Sequence, residues 1–215
     1  MKQRTGNEHF CFDGMSTSVA LSDFWRWHAS DLLNNTLRGA LAEFIVANAL
    51  GIETDGTQVD WEAYDLLFNY RWRIEVKASA YVQAWSQAAE SNLRFSIRPT
   101  RAWTPEDGFA DEVLRQSDIY IFCVLAERKR ELADPLVLDQ WEFYPVLTSE
   151  LSKLLHKQKT AGLGTILRLC PEKFDYHSLR DGVLHLASHF TDEEAAERLA
   201  AYEALKRRNE ERIGT

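Results

Sequence analysis

The stretch Tyr64-Asp65-Leu66-Leu67-Phe68-Asn69-Tyr70-Arg71-Trp72-Arg73-Ile74-Glu75-Val76-Lys77 decides how this chain is read. It has the pattern of two short strands joined by a tight turn, with Asp65 on the first strand and Glu75 and Lys77 on the second. Trp72, Ile74 and Val76 alternate with Arg71, Arg73, Glu75 and Lys77, the period of a half-buried strand. Residues two apart share one face, so Glu75 and Lys77 point the same way. Two carboxylates and a lysine on rigid strands can bind a divalent metal and activate water beside it. A solvated Glu/Lys strand face would look almost the same.

The turn discriminates between these readings. A two-residue turn at Asn69-Tyr70 would set Asp65 opposite Ile74, on the other face. A three-residue turn centred on Tyr70, or a bulge, would set Asp65 opposite Glu75. No Asn-Gly pair stands at the turn, which favours the longer form. Two facing carboxylates repel unless a metal or the nearby lysine lies between them. The triplet Glu75-Val76-Lys77 means little by itself, because Glu127-Arg128-Lys129 repeats its spacing in a charged loop.

Upstream, Asn34, Asn35 and Thr36 are N-cap candidates for a helix over Leu37–Leu50, stopped by Gly51. Between Leu37 and Gly51 the only charged residues are Arg38 and Glu43. Glu43 falls among Gly39, Ala40, Val46, Ala47 and Leu50 on the helical wheel, so it pairs with a cation or points into a polar pocket. Gly39, one turn earlier, could let a strand or ligand approach closely.

Around this centre, residues 1–17 read as a polar, loosely held arm and Ser18–Leu33 as a helix or helix pair. Strands are expected at Ala63–Phe68, Trp72–Ala78 and Leu93–Arg98, with a short helix at Tyr81–Ala89 and another at Phe109–Gln116. Asp118–Leu125 is an apolar run bounded by charges, as in a buried central strand. Trp141–Val146 is a further strand, Thr148 a cap for a helix to Gln158, and Gly164–Leu169 a late strand. Thr191-Asp192-Glu193-Glu194 is a capping box opening a charged helix to about Arg212.

A chain of 215 residues, 45% hydrophobic and 12% aromatic, can bury a core and suits one α/β domain over 1–215. The formal charge of −8 argues against a general nucleic-acid coat, though an enzyme touching phosphate through a metal and a few arginines stays open. No apolar run is long enough for a transmembrane helix, and the N-terminus lacks a signal-peptide core. Cys11, Cys123 and Cys170 are odd in number and widely spaced, which suits a reducing cytoplasm. His185 and His189, four apart, lack an obvious third metal ligand. No P-loop, G-x-G-x-x-G or G-x-S-x-G motif is present.

Arg38-Gly39-Ala40-Leu41-Ala42-Glu43 on a helix, then Asp65, then Glu75-Val76-Lys77, resembles the PD-(D/E)XK or restriction endonuclease-like nuclease superfamily. The helix motif is most similar to Holliday-junction resolvase-type members. Tyr64 stands where the motif's proline would be. The resemblance implies an αβββαβ core over 36–126 with a mixed central sheet flanked by helices. Residues 1–35 would form an N-terminal helical extension, and 127–215 decorating strands and a C-terminal helix.

The resemblance also implies a cytoplasmic hydrolase that cleaves DNA in repair, recombination or defence. Asp65, Glu75 and the Val76 carbonyl would ligate Mg²⁺, with Mn²⁺ a possible substitute. Lys77 would orient or deprotonate the attacking water, or stabilise charge at phosphorus, and Glu43 would hold a metal-bound water or a second ion. Gln83, Arg98 and Arg101 are candidate substrate contacts, weighed against solvated-surface roles. A homodimer would suit duplex cleavage. The rival readings are a catalytically inactive binding or assembly module of the same fold, and an unrelated α/β protein with Glu43 as a structural carboxylate.

Overall fold

The structure, a computed structural model, describes residues 3–54, 64–104 and 108–213. In chain order its elements are β1 (His9–Phe12), β2 (Met15–Ala20), α1 (Leu21–Ala29), α2 (Asn35–Leu50), β3 (Leu66–Phe68), β4 (Trp72–Ala80), β5 (Arg94–Ser96), β6 (Thr100–Thr104), β7 (Gly108–Leu114) and β8 (Ile119–Leu125). A 3₁₀ turn (Leu138–Gln140) leads into β9 (Trp141–Leu147), followed by α3 (Thr148–Leu155), β10 (Thr160–Gly162), α4 (Leu163–Leu169), α5 (Leu179–Ala187) and α6 (Asp192–Ile213).

The central sheet is mixed, in the order β3-β4-β8-β9. β4 and β8 run parallel, with Ile74 beside Ile119 and Ala80 beside Leu125. β3 and β9 flank them antiparallel. All seven residues of β8 are buried, and their alternation divides the core into two layers. Ile119, Ile121, Cys123 and Leu125 join Ile74 and Val76 against Ala42, Ile45, Val46 and Leu50 of α2 and Leu179 and Val183 of α5. Tyr120, Phe122 and Val124 face Phe95, Leu151, Ala161 and Ile166 on the other side. This is the mixed α/β architecture, central sheet flanked by helices, expected from the sequence.

α2 forms as its flanking residues require. The Asn34 side chain accepts the Thr36 N–H at 2.9 Å. Gly51 closes the helix at φ 72°, a left-handed position that a side chain strains. At the far end of the chain the Thr191 hydroxyl and the Glu194 carboxylate exchange bonds with each other's backbone N–H, completing the capping box of α6.

Several segments differ from expectation. Residues 9–20 form the β1–β2 hairpin rather than a loose arm and helix start, with α1 beginning only at Leu21. Tyr81–Ala89 is not helical. Its backbone is held by side chains, with Gln87 Oε1 accepting the Gln83 N–H at 2.6 Å and Gln87 Nε2 donating to the Tyr81 carbonyl at 3.1 Å. Phe109–Gln116 is not a helix either, because Gly108–Leu114 pairs antiparallel with β6, a cross-strand partner that outweighs local propensity.

β5 leaves the central sheet to pair with β10, while Leu93, Phe95 and Ile97 still alternate inward. Gly164–Leu169 lies in helix α4, where Leu163, Ile166 and Cys170 recur at helical spacing toward the core. β9 is an integral member of the central sheet, bonded along its length to β8.

Candidate active site

Phe68 faces Trp72, so Asn69, Tyr70 and Arg71 make a three-residue turn centred on Tyr70. Asn69 and Tyr70 sit at φ 51° and 58°, a left-handed pair that closes the turn and fixes the register. Leu66 pairs with Ile74, and the next residue back, Asp65, donates its N–H to the Ile74 carbonyl at 3.0 Å. Its carboxylate turns onto β4 and accepts the Val76 N–H at 2.7 Å. Lys77 Nζ then stands 2.6 Å from Glu75 and 3.7 Å from Asp65. The strand alternation that buries Ile74 and Val76 thus presents Glu75 and Lys77 together, and the turn delivers Asp65 to them.

Burial raises the Glu75 carboxyl above its ordinary range, and Asp65 adds to this, while Lys77 opposes it. Burial alone would push the Lys77 ammonium down, but Asp65, Glu75 and, further off, Glu43 outweigh it and raise it. Lys77 is therefore a fixed cation in this arrangement. Glu43, half-buried on α2, contributes through its charge. A Cβ placed on Gly39 meets nothing within 4 Å, so no part of the described chain approaches closely there.

Arg38, from the same helical motif, is only 4% exposed. It donates to the Leu33 carbonyl at 2.7 Å, Asn35 Oδ1 at 2.6 Å and Gln83 Oε1 at 3.3 Å. Gln83 is 6% exposed, and its amide also donates to the Ala80 carbonyl at 2.8 Å. In these contacts Gln83 ties the end of β4 to α2. Arg98 and Arg101 are exposed, at the approach to β6 and within it, and no contact among the described residues joins them to Lys77 or its carboxylates.

A second charged group lies one step along β4. Asp118, 5% exposed, accepts the Arg73 N–H at 3.0 Å and both nitrogens of its guanidinium fork at 3.0–3.1 Å, and takes a further bond from Arg198 of α6. Burial would raise the Asp118 carboxyl, but the bonds from Arg73 and Arg198 hold it below the usual aspartate value. Arg198 also lies over the rings of Trp72 and Phe190, which stack at 4.5 Å. The alternation of Arg71, Arg73 and Glu75 with Trp72, Ile74 and Val76 was visible in the sequence, whereas nothing there pointed to Asp118 and Arg198 as companions of Arg73.

Residues 19–161 match the family described as bacteriophage T4 endonuclease IV. The chain belongs to the T4 endonuclease IV family. The matched segment contains the whole central sheet together with Glu43, Asp65, Glu75 and Lys77, while α6 and its Arg198 lie beyond it. No curated protein and no solved structure matches the chain. Membership sets this member among endonucleases, and among its described residues no helix is long and apolar enough to cross a membrane.

Proposed function

We propose that this member of the T4 endonuclease IV family is a Mg²⁺-dependent endonuclease that hydrolyses DNA phosphodiester bonds with a PD-(D/E)XK-type constellation. The observation that carries this reading is the convergence of Asp65, Glu75 and Lys77 from adjacent strands. The donor set suits a hard cation, with carboxylate oxygens from Asp65 and Glu75, the Val76 carbonyl beside them, and Glu43 acting through water or on a second ion. Among the described residues no three acidic, His or Cys side chains form a ready-made cluster, so an ion here would be held by two carboxylates and would keep several of its waters. When bound, such an ion supplies Lewis acidity and lowers the pKa of its water.

The chain's own residues do the rest. The Val76 N–H aims the Asp65 carboxylate. Lys77, beside both carboxylates, orients or deprotonates the attacking water, or stabilises charge on the phosphoryl oxygens. Glu43 adds negative potential that keeps the ammonium in place.

The 2.6 Å Lys77–Glu75 contact equally suits a closed ion pair in a non-catalytic DNA-binding module. Cleavage of linear, nicked and branched DNA with Mg²⁺ or Mn²⁺ by wild type, Asp65→Ala and Lys77→Ala separates the two. The nuclease reading expects wild-type cleavage and losses of roughly a hundredfold or more in both variants. Equal activity in all three preparations would mark a contaminant, and no cleavage of any substrate favours the binding module.

A further inference from the structure

We infer that the cleft between the β3–β4 turn and α6 is a phosphodiester-binding subsite that seats the DNA backbone beside the Asp65–Glu75–Lys77 cluster, an inference that rests on the nuclease reading. The cleft has a volume of about 390 Å³ and is lined by Tyr64, Arg71, Arg73, Glu197, Arg198 and Tyr202, among others.

Its charge is the first argument. Three guanidinium groups meet two carboxylates, Glu197 in the lining and Asp118 behind it. Glu194 also acts on Arg198 and Asp118, so the local charges balance, and Arg71 is the guanidinium of the three that no carboxylate among the described residues engages. Asp118 engages Arg73 and Arg198 and so fixes the direction of both.

Arg71 is the second. Its Nε is buried without a hydrogen-bond partner, and among the described residues no carboxylate pairs with its guanidinium. A buried donor left unsatisfied is costly, and a planar guanidinium is suited to a phosphate's paired oxygens. The Nε is closed to solvent, so a strand phosphate entering the cleft would bond the outer nitrogens of the Arg71 guanidinium, which lines it.

Position is the third. Arg73 and Glu75 share one face of β4 and stand about 6.6 Å apart along it. The cleft therefore lies further along the same strand than the carboxylate–lysine cluster, whose side chains are not among its lining, and a phosphate held there belongs to a nucleotide flanking the one at the cluster.

The test is anisotropy of a labelled DNA duplex, and separately of its single strand, binding the full chain without divalent metal over a salt series. It is paired with cleavage kinetics in Mg²⁺. Arg71→Ala should weaken binding about three- to tenfold and reduce the salt slope by about 1. In cleavage it should raise KM while kcat at saturating DNA holds. Lys77→Ala should show the reverse, with binding kept and turnover lost. Arg71→Gln, of similar side-chain length, serves if the alanine variant melts early. Wild-type affinity and slope in both Arg71 variants would overturn the subsite while leaving wild-type cleavage, and the nuclease reading, intact. Arg71-dependent binding without any cleavage would uphold the subsite and sink the nuclease. Failure of the wild type to bind either form of DNA overturns the subsite.

Discussion

The Asp65 carboxylate accepts the Val76 backbone N–H at 2.7 Å, which fastens the acid of one strand to the next strand between Glu75 and Lys77. The bond orients one oxygen of Asp65 and carries part of the register of the hairpin.

Asp65→Asn keeps an acceptor for Val76 and removes the charge, whereas Asp65→Ala removes both. Urea unfolding should show a loss of about 1–3 kcal/mol for the alanine variant and a clearly smaller one for asparagine. DNA cleavage should be lost in both. Equal stability losses would mean that the Val76 bond contributes nothing.

Stability should depend on pH through Glu75 and Lys77 in opposite regions. The folded state raises the Glu75 carboxyl, so it binds that proton more tightly than the unfolded chain does. Stability from this group therefore falls as pH rises from near 4.5 through the folded value. Glu75→Gln should flatten that slope. The folded state also raises the Lys77 ammonium, so its contribution is full below 10.5 and is lost as pH climbs through the higher folded value. Unfolding of wild type, Glu75→Gln and Lys77→Met from pH 4 to 11 reads both, and parallel curves would refute the couplings.

Asp118 should hold α6 to the sheet. Its folded pKa is depressed, so its contribution is present above 3.8 and disappears as pH falls through the lower folded value. Asp118→Asn should cost about 3 kcal/mol, the lower end for a broken buried pair because Arg73 remains 40% exposed. Limited proteolysis should then cut within α6 faster than in wild type. Unchanged stability and cutting would show that the clasp is inert.

Gly39→Ala should stabilise α2 by up to about 1 kcal/mol, because the new methyl meets open space. Cleavage should be unaffected, and its loss would reveal that a ligand passes there. Gly51→Ala should instead lower stability by about 1 kcal/mol, since its φ of 72° is unfavourable for a side chain. Melting temperatures of the two variants should move in opposite directions.

The candidate site was readable because its signals are local. Alternation placed Glu75 and Lys77 on one face, and the lack of a two-residue turn signal allowed the three-residue turn that brings Asp65 to them. α2 and α6 were readable for the same reason, since Asn34, Gly51 and Thr191-Asp192-Glu193-Glu194 act within a few residues. Tyr81–Ala89 and Phe109–Gln116 were not, because glutamine side chains and a hairpin partner decide their conformation.

The sequence by itself determined α2, the buried strand β8, the β3–β4 hairpin and the residues that could gather on its polar face. Backbone period and capping chemistry are carried by near neighbours. Only the tertiary structure decided that β9 completes the central sheet and β5 leaves it, that Gln83 is buried against Arg38, and that Arg198 crosses 80 positions to share Asp118 with Arg73. Those outcomes depend on which distant surfaces bury one another and where a buried charge finds its partner.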